Sequence, residues 1–146
     1  MEANTIEECI KLRLLRKTKI DLDKSRKSLE LSEKAIKETE SALGSPFFKY
    51  AILNAYMAMF HSSRSVLYSD GVQEKSHYAI FIYLKEKYSN AIPISILNLL
   101  NIHRIERHEA MYGLEYEPTL EEAELALKDA KQFVGEIKRL MKGRLR

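Results

Sequence analysis

The sequence predicts an all-α protein, an up-and-down antiparallel bundle of four long helices plus one short helix. Apolar residues recur at helical spacing along almost the whole chain of 146 residues, and no segment alternates as a strand would. Only 5 glycines and 3 prolines interrupt a composition that is 45% hydrophobic and 31% charged. Because the loops between periodic segments are short, neighbouring helices should run antiparallel. We expect a single domain over residues 1–146, with its core at about 20–142 and a helical extension at 1–18.

The first long helix is predicted at about 19–43, after a short basic amphipathic helix at 4–17. Its apolar residues recur every seven positions, at Leu22, Leu29, Ile36 and Leu43. Small residues follow the first three of these by three positions, at Ser25, Ser32 and Thr39. This pattern predicts a narrow stripe that allows a partner helix to approach closely.

The segment "GSPFF" at 44–48 separates the first long helix from the second, which is predicted at about 46–69. Gly44 can adopt the left-handed conformation that ends a helix. Ser45 can cap the next helix, and Pro46 suits a first helical turn. "SDG" at 69–71 should end the second helix.

Three further helices are predicted, at about 77–89, 93–112 and 119–142. Ser76 is a suitable N-cap for the first of them, and Pro93 suits the start of the second. Thr119 and Glu122 match a capping box at the start of the last helix.

The bulk properties exclude several classes of protein. The 24 Lys and Arg against 21 Asp and Glu leave a net charge of only +3, which does not by itself predict nucleic-acid binding. The basic runs "KLRLLRKTK" and "KRLMKGRLR" near the two ends are either local basic patches or solvated helix ends. Cys9 is the only cysteine, which excludes an internal disulfide and a zinc site built on paired cysteines. No apolar run approaches the roughly 18 residues of a membrane span, so we expect a cytoplasmic protein without a membrane partner.

The stretch "HRIERHEAMYG" at 103–113 is the most informative for function. On a helix with 100° per residue, one face of about 120° collects two leucines, three polar or charged residues, a histidine and a methionine. These are Leu97, Leu100, Asn101, Arg104, Arg107, His108 and Met111. An arginine on a largely apolar stripe needs a partner, because a buried unpaired charge is costly. Either Arg104 pairs with a carboxylate on another helix and His108 is a satisfied edge residue, or this face binds a ligand.

Other polar residues are weaker candidates. Arg64, in "SSRSVLY", is either a structural salt-bridge partner or part of a polar groove. His61 is isolated, and His77 behind Ser76 is unremarkable for a first helical turn. The sequence contains no H-E-x-x-H pattern, no Gly-rich phosphate loop and no Ser-His-Asp arrangement. We therefore expect neither a metal nor a cofactor.

Two blocks of sequence resemble HEPN domains of the small stand-alone prokaryotic type. "AYMAMFHSSRSVLYSDGVQEKSHYAIFIYL" at 55–84 is similar to the family's "AYYAMFHAARALL…G…K.H" helix pair, and "RIERHEAMYG" at 104–113 to its "R…R..ADYG" helix. The first block matches at Ala55, Tyr56, Ala58, Met59, Phe60, Arg64, Gly71, Lys75, Ser76 and His77. The second matches at Arg104, Arg107, Ala110, Tyr112 and Gly113. The resemblance covers roughly residues 20–140.

The resemblance implies an up-and-down bundle that often forms a dimer and associates with nucleotides or RNA. Many family members are encoded beside a minimal nucleotidyltransferase, as a toxin–antitoxin pair. Active ribonucleases of the family carry an arginine, a polar residue after it, and a histidine with four to six residues between it and the arginine. Here Arg107 is followed by the polar His108, but Tyr112 occupies the position of the histidine. The other pairing, Arg104 with His108, has only three intervening residues.

Since tyrosine, with a pKa near 10, exchanges protons poorly at pH 7, we expect an RNA- or nucleotide-binding protein of weak or no activity. Its groove would lie at a homodimer interface and be lined by Arg104, Arg107, His108 and Tyr112, with Arg64 and Asn101 nearby. One alternative is a metal-independent endoribonuclease toxin, in which His108 is the acid or base and Arg104 or Arg107 stabilises the phosphate. A second alternative is a non-enzymatic helical interaction scaffold.

Overall fold

A computed structural model of the protein describes residues 3–145. It consists mainly of helices, which confirms the all-α prediction. The helices are α1 (Ile6–Lys11), α2 (Leu22–Ala42), α3 (Phe48–Asp70), α4 (His77–Tyr88), α5 (Ile94–Tyr112) and α6 (Leu120–Met141). Two three-residue strands, β1 (Leu15–Lys17) and β2 (Val72–Glu74), form a small antiparallel sheet. The four long helices are α2, α3, α5 and α6, and their ends lie within three residues of the predicted ones.

Small side chains bring α2 and α3 close together. Ser25, Ser28, Ser32 and Thr39 are the buried hydroxyl residues of α2. The Ser25 hydroxyl donates to the backbone carbonyl of Ser65 in α3 at 2.6 Å. The Thr39 hydroxyl instead donates to the Ala35 carbonyl of its own helix at 2.7 Å, which satisfies it within a tight interface. The predicted stripe is therefore centred on its small residues, whereas Leu22 at its start is exposed.

The buried hydrophobic residues form one cluster to which every helix contributes. The largest fully buried side chains include Tyr56 and Met59 of α3, Leu97 of α5 and Phe133 of α6. The buried residues of α6 recur mostly at three- and four-residue spacing, so one face of this helix packs into the core. This core holds α3 in the middle of the bundle, between α2, α5 and α6.

The N-terminal segment is the largest departure from the predicted structure. The helix expected over 4–17 ends at Lys11, because Arg13 adopts a left-handed conformation with φ of 59°. The chain then forms β1, in which Leu15 lies opposite Glu74 and Lys17 opposite Val72. The expectation that no strand forms was wrong: a three-residue strand is too short to show alternation, and its partner is remote in sequence.

Two of the predicted N-caps are confirmed and one is wrong, and the left-handed helix end expected at Gly44 is also wrong, because among the described residues only Gly71 and Gly143 are glycines with positive φ. The Ser76 hydroxyl accepts from the Ala79 amide at 3.3 Å at the start of α4. The Thr119 hydroxyl accepts from the Glu122 amide, and the Glu122 carboxylate accepts from the Thr119 amide, as in a capping box. Ser45 does not cap α3, because its hydroxyl donates to the Ala42 carbonyl and α3 begins only at Phe48.

Gly71 ends α3 and joins it to the N-terminal strand. Its φ of 73° is left-handed, and a Cβ at this position would lie 2.9 Å from the Thr18 carbonyl oxygen. The Thr18 amide donates to the Gly71 carbonyl at 2.8 Å, so the two backbones pass in direct contact. Only glycine satisfies both the dihedral angle and the close approach.

Replacing Gly71 by Ala should therefore destabilise the protein by more than the roughly 1–2 kcal/mol of a left-handed alanine, since the Thr18 contact is also lost. The matched control is Gly135→Ala in α6, where nothing lies within 4 Å of the added Cβ. It should stabilise the protein by about 0.5–1 kcal/mol, because alanine favours a helix interior. Urea unfolding measures both changes, and equal effects at the two positions would contradict this role of Gly71.

Candidate functional site

The polar face predicted for α5 passes from the core to the solvent along the helix. Leu97 and Leu100 are buried, Asn101, Arg104 and Arg107 are half-buried, and His108, Met111 and Tyr112 are exposed. The spacing of 100° per residue therefore correctly grouped these residues on one continuous face of α5. Its middle section, at Arg104 and Arg107, packs against α3 and the start of α4.

Arg104 does not form the salt bridge that one alternative required. Its Nε donates to the Asn101 side-chain oxygen at 2.9 Å, on the same helix. Its guanidinium lies 5.2 Å from the centroid of the Tyr78 ring, a cation–π contact. No carboxylate within residues 3–145 forms an ion pair with it, so the alternative of a salt bridge to another helix was wrong. The charge of Arg104 is held by an amide and an aromatic ring.

The positive charge of Arg107 has even fewer neighbours to offset it than that of Arg104. Its guanidinium lies 5.8 Å from the centroid of the Tyr56 ring. In the part of the chain that the structure describes, it makes neither a hydrogen bond nor an ion pair. Two cations one turn apart thus rest on aromatic rings, with their N–H donors largely unused.

His77 completes this cluster, although the sequence had suggested nothing unusual about it. Its Nδ1 lies 2.8 Å from the Tyr56 hydroxyl, and its ring stacks on Phe60 with centroids 4.3 Å apart. Burial is the largest influence that lowers the pKa of His77 from its ordinary value. The positive charges of Arg107 and Arg104, and then of Arg64, lower the same pKa further. His77 is consequently neutral at pH 7.

Two signals in the sequence could have identified His77. It belongs to the first block of family resemblance, and it directly follows the N-cap Ser76. The proximity to Arg104 and Arg107 could not be inferred, because it depends on how α4 packs between α3 and α5. We call Arg104, Arg107 and His77, together with the rings of Tyr56 and Tyr78 beneath them, the arginine cluster.

Arg64 lies beside the arginine cluster but already has a partner. Its Nε donates to a Glu74 carboxylate oxygen at 3.1 Å, and both side chains are largely buried. The guanidinium lies between the Phe60 and Tyr68 rings, at 5.4 and 5.3 Å from their centroids. The salt bridge considered for Arg64 is thus present, with Glu74 as its partner. It touches the cluster through Phe60, which also stacks on His77.

His108 and Tyr112 lie at the exposed end of the same face of α5. Their rings contact each other with centroids 4.8 Å apart. Neither makes a hydrogen bond within residues 3–145, so both are available to a ligand or partner. Tyr112, which stands where the family resemblance implies a histidine in active ribonucleases, is itself exposed.

His103 belongs to a separate, structural network. It is buried, with Nδ1 at 3.0 Å from a Glu106 oxygen and Nε2 at 2.9 Å from an Asp129 oxygen on α6. Burial by itself lowers its pKa, but hydrogen bonds to the two carboxylates and their negative charges raise the net pKa above the ordinary value. The helix–helix polar network that we considered at Arg104 is therefore located at His103.

Residues 3–145 contain no group of three or more His, Cys, Asp or Glu side chains placed to hold a metal ion. Over the same residues, no helix is long and apolar enough to cross a membrane.

The raised pKa of His103 predicts a pH-dependent stability. Its charged network should stabilise the fold fully below the unfolded pKa of about 6.5, and this contribution should be lost as pH rises through the folded pKa. The free energy of unfolding of wild type minus that of His103→Gln should thus decrease as the pH rises from below about 6.5 through the raised folded-state pKa. The exposed His108→Gln is the control, and a difference independent of pH would contradict a charged His103.

Comparisons with known proteins agree with this architecture. The family model described as HEPN domain matches residues 25–140, which include most of α2, all of α3 to α5 and nearly all of α6. A protein of Methanocaldococcus jannaschii named "Putative toxin MJ0605" is 28% identical over 124 residues, covering 78% of this chain and 86% of that protein. Since the family model spans well over half of the sequence, the chain belongs to the HEPN domain family.

Proposed function

We propose that this chain binds RNA or nucleotide phosphates through the arginine cluster and has weak or no catalytic activity by itself. The observation that carries the proposal is the pair Arg104 and Arg107, which have no carboxylate partner within residues 3–145. A protein seldom retains two neighbouring half-buried cations without counterions, because each disfavours the other. An anionic ligand would relieve that repulsion.

The chemistry of the cluster suits a phosphate. A guanidinium offers several N–H donors in a planar fork, which fits two phosphate oxygens at once. The rings of Tyr56 and Tyr78 support the guanidiniums from beneath, and such contacts leave the donors at their edges free. His77 is neutral and can add a hydrogen bond without adding repulsion.

The exposed end of α5 would contribute base recognition. Tyr112 is 63% exposed, and its ring can stack on an unpaired base. His108 lies against it and can hydrogen-bond to base or sugar. Asn101 belongs to the site through Arg104, whose guanidinium it orients. Arg64 lies beside the cluster. Because it is already paired with Glu74, it would attract the anionic ligand less strongly than Arg104 and Arg107 do.

A homodimer would enclose this surface. Ile102 and Ile105 of α5 are each more than half exposed, and with Tyr112 they form an apolar strip beside the arginine cluster. Such a strip is costly in water and is commonly covered by a partner. If a second copy covers it, the two clusters lie at the interface, and light scattering should give twice the chain mass at micromolar concentration.

The biological setting we propose is a toxin–antitoxin-type pair with a minimal nucleotidyltransferase. The name of the Methanocaldococcus jannaschii relative supports a toxin-like role. The pairing itself comes from the family resemblance and is testable from the neighbouring gene.

Replacing Arg107 by Gln should weaken binding of a short single-stranded RNA by about tenfold to hundredfold, the value of a charged hydrogen bond. Its effect on thermal stability should be small, since Arg107 makes no ion pair within residues 3–145. Arg139→Gln removes the same charge from a guanidinium that contacts Glu136 and Ala91, and is the control. Equal RNA affinities for both variants and wild type would reject the cluster as the site and favour an interaction scaffold.

A metal-independent endoribonuclease is the second candidate. The observation in its favour is that His108 is exposed one turn beyond Arg104 on the same face and makes no hydrogen bond within the described residues. A free imidazole beside a phosphate-binding arginine is the minimum that acid–base cleavage of RNA requires.

If this candidate is correct, wild type should cleave RNA in EDTA and His108→Ala should lose at least 100-fold in rate, the usual contribution of one acid or base. Gel analysis of end-labelled RNA measures it. His103→Gln is the control, because it removes a histidine of the structural network and should leave RNA cleavage unchanged unless the fold is damaged. Equal cleavage by His108→Ala and wild type, or none by either, removes His108 as the catalytic group.

A further inference from the structure

The segment of residues 11–19, "KLRLLRKTK", is a dense positive surface that the proposed function has not used. It contains five cations and no carboxylate, and it lies outside the 25–140 match of the family model. All five of its cationic side chains are exposed. They are Lys11, Arg13, Arg16, Lys17 and Lys19. We call this segment the basic strand.

The charges of the basic strand are poorly compensated. Among the described residues, Lys11 alone of the five forms an ion pair, with Glu7 at 3.4 Å. Arg16 donates instead to the neutral side chain of Gln73. A patch of this kind raises the local concentration of anions even though the net charge of the chain is small.

The basic strand is attached rigidly to the bundle. Leu15 is 1% exposed, and β1 pairs with β2 along its length. The Thr18 amide donates to the Gly71 carbonyl, and the Lys75 amide donates to the Leu14 carbonyl, each at 2.8 Å. The backbone that carries the cations is thus held at a defined position beside the bundle.

The connection through Lys75 leads directly to the arginine cluster. Lys75 is itself exposed, and Ser76 and His77 follow it. The path from Arg13 to His77 runs along the chain to Leu14, crosses the backbone hydrogen bond to Lys75, and follows the chain for two more residues. The two Cα atoms are therefore separated by roughly 17 Å at most.

Arg13 occupies a position at which glycine is the usual residue. Its amide donates to the Ile10 carbonyl at 3.1 Å, and the Leu14 amide donates to the Cys9 carbonyl at 2.8 Å. This is the Schellman arrangement that ends a helix, with Arg13 in the left-handed conformation. An arginine there costs roughly 1–2 kcal/mol relative to a relaxed backbone. A strained, exposed cation without a carboxylate partner is more consistent with a ligand contact than with a contribution to stability.

We infer that the basic strand is a second phosphate-contacting surface, and that the ligand is a single-stranded RNA of several nucleotides. This rests on the proposed function, because the arginine cluster would hold one part of the same strand. A polynucleotide presents several phosphates and can contact both surfaces and release counterions at each, whereas a nucleoside monophosphate has a single phosphate group and cannot neutralise both. The rigid pairing of β1 with β2 favours RNA over a lipid surface, which basic segments typically meet as amphipathic helices.

The test compares two probes, a fluorescein-labelled oligo(U) RNA of 12 nucleotides and the dinucleotide pUpU. The variant Arg13→Gly/Arg16→Gln/Lys17→Gln removes three charges from the basic strand. Its control, Lys34→Gln/Lys37→Gln/Lys128→Gln, removes three exposed charges from α2 and α6. Both variants lower the net charge equally, so a difference between them reports on position.

We expect the basic-strand variant to bind the 12-nucleotide RNA at least tenfold more weakly than wild type and to bind pUpU normally. The slope of log affinity against log salt should decrease in size by about 2, at roughly 0.7 per lost phosphate contact. The control should resemble wild type for both probes. Arg13→Gly alone should weaken RNA binding while leaving the melting temperature equal or higher, because glycine relieves the strain.

The possible failures are distinguishable. If Arg107→Gln weakens both probes and the basic-strand variant matches its control, this inference is wrong and the proposed function stands. If wild type binds neither probe, both are wrong. If the basic-strand variant loses binding to phosphatidylserine vesicles while its RNA affinity is unchanged, the segment contacts a membrane surface and the inference is overturned.

Discussion

The contact between Tyr56 and His77 is the interaction on which the candidate site depends. Tyr56 is almost fully buried in α3, and its hydroxyl meets the first residue of α4 while its ring lies beneath Arg107 of α5. Burial raises the pKa of the Tyr56 hydroxyl, so it keeps its proton and remains a hydrogen-bonding group. Tyr56 therefore links α3, α4 and α5 and positions both His77 and Arg107 at the candidate site.

The partner of each cation separates structural charges from those available to a ligand. Arg64 has Glu74, and His103 lies between Glu106 and Asp129. Arg144 similarly reaches Asp70, a carboxylate that also accepts from Tyr83 and Tyr88. These groups sit where helices or chain ends must be joined. Arg104 and Arg107 instead have aromatic rings beneath them, which stabilise a guanidinium without neutralising it.

Much of the fold could be read from local signals in the sequence. The capping box at Thr119 and the N-cap at Ser76 define helix starts through bonds within three residues, so they are predictable from sequence. The face of α5 that contains Arg104 and Arg107 follows from helical periodicity alone. The small residues of α2 correctly predicted a close helix contact, although the leucines beside them lie at its edge.

Several of the errors arise from long-range contacts, whereas those at Ser45 and Arg13 are local exceptions to the usual capping residues. Nothing near Leu15 in the sequence indicates that it will pair with Glu74, and Arg13 ends α1 in a conformation that a sequence pattern would assign to glycine. The alternative of a salt bridge from Arg104 to another helix was wrong because the neighbour of a side chain depends on which helix packs against it. His77 was overlooked because only its position between α3 and α5 makes it distinctive.

The sequence by itself determined the all-α class, the approximate helix ends, the family resemblance and the polar face of α5. Those features depend on residue periodicity and on bonds between near neighbours. Only the tertiary structure decided which charges are compensated, because Glu74 and Asp129 come to their partners from other elements of the fold. By the same packing, Tyr56 and Tyr78 come to lie beneath two arginines that have no counterion within residues 3–145.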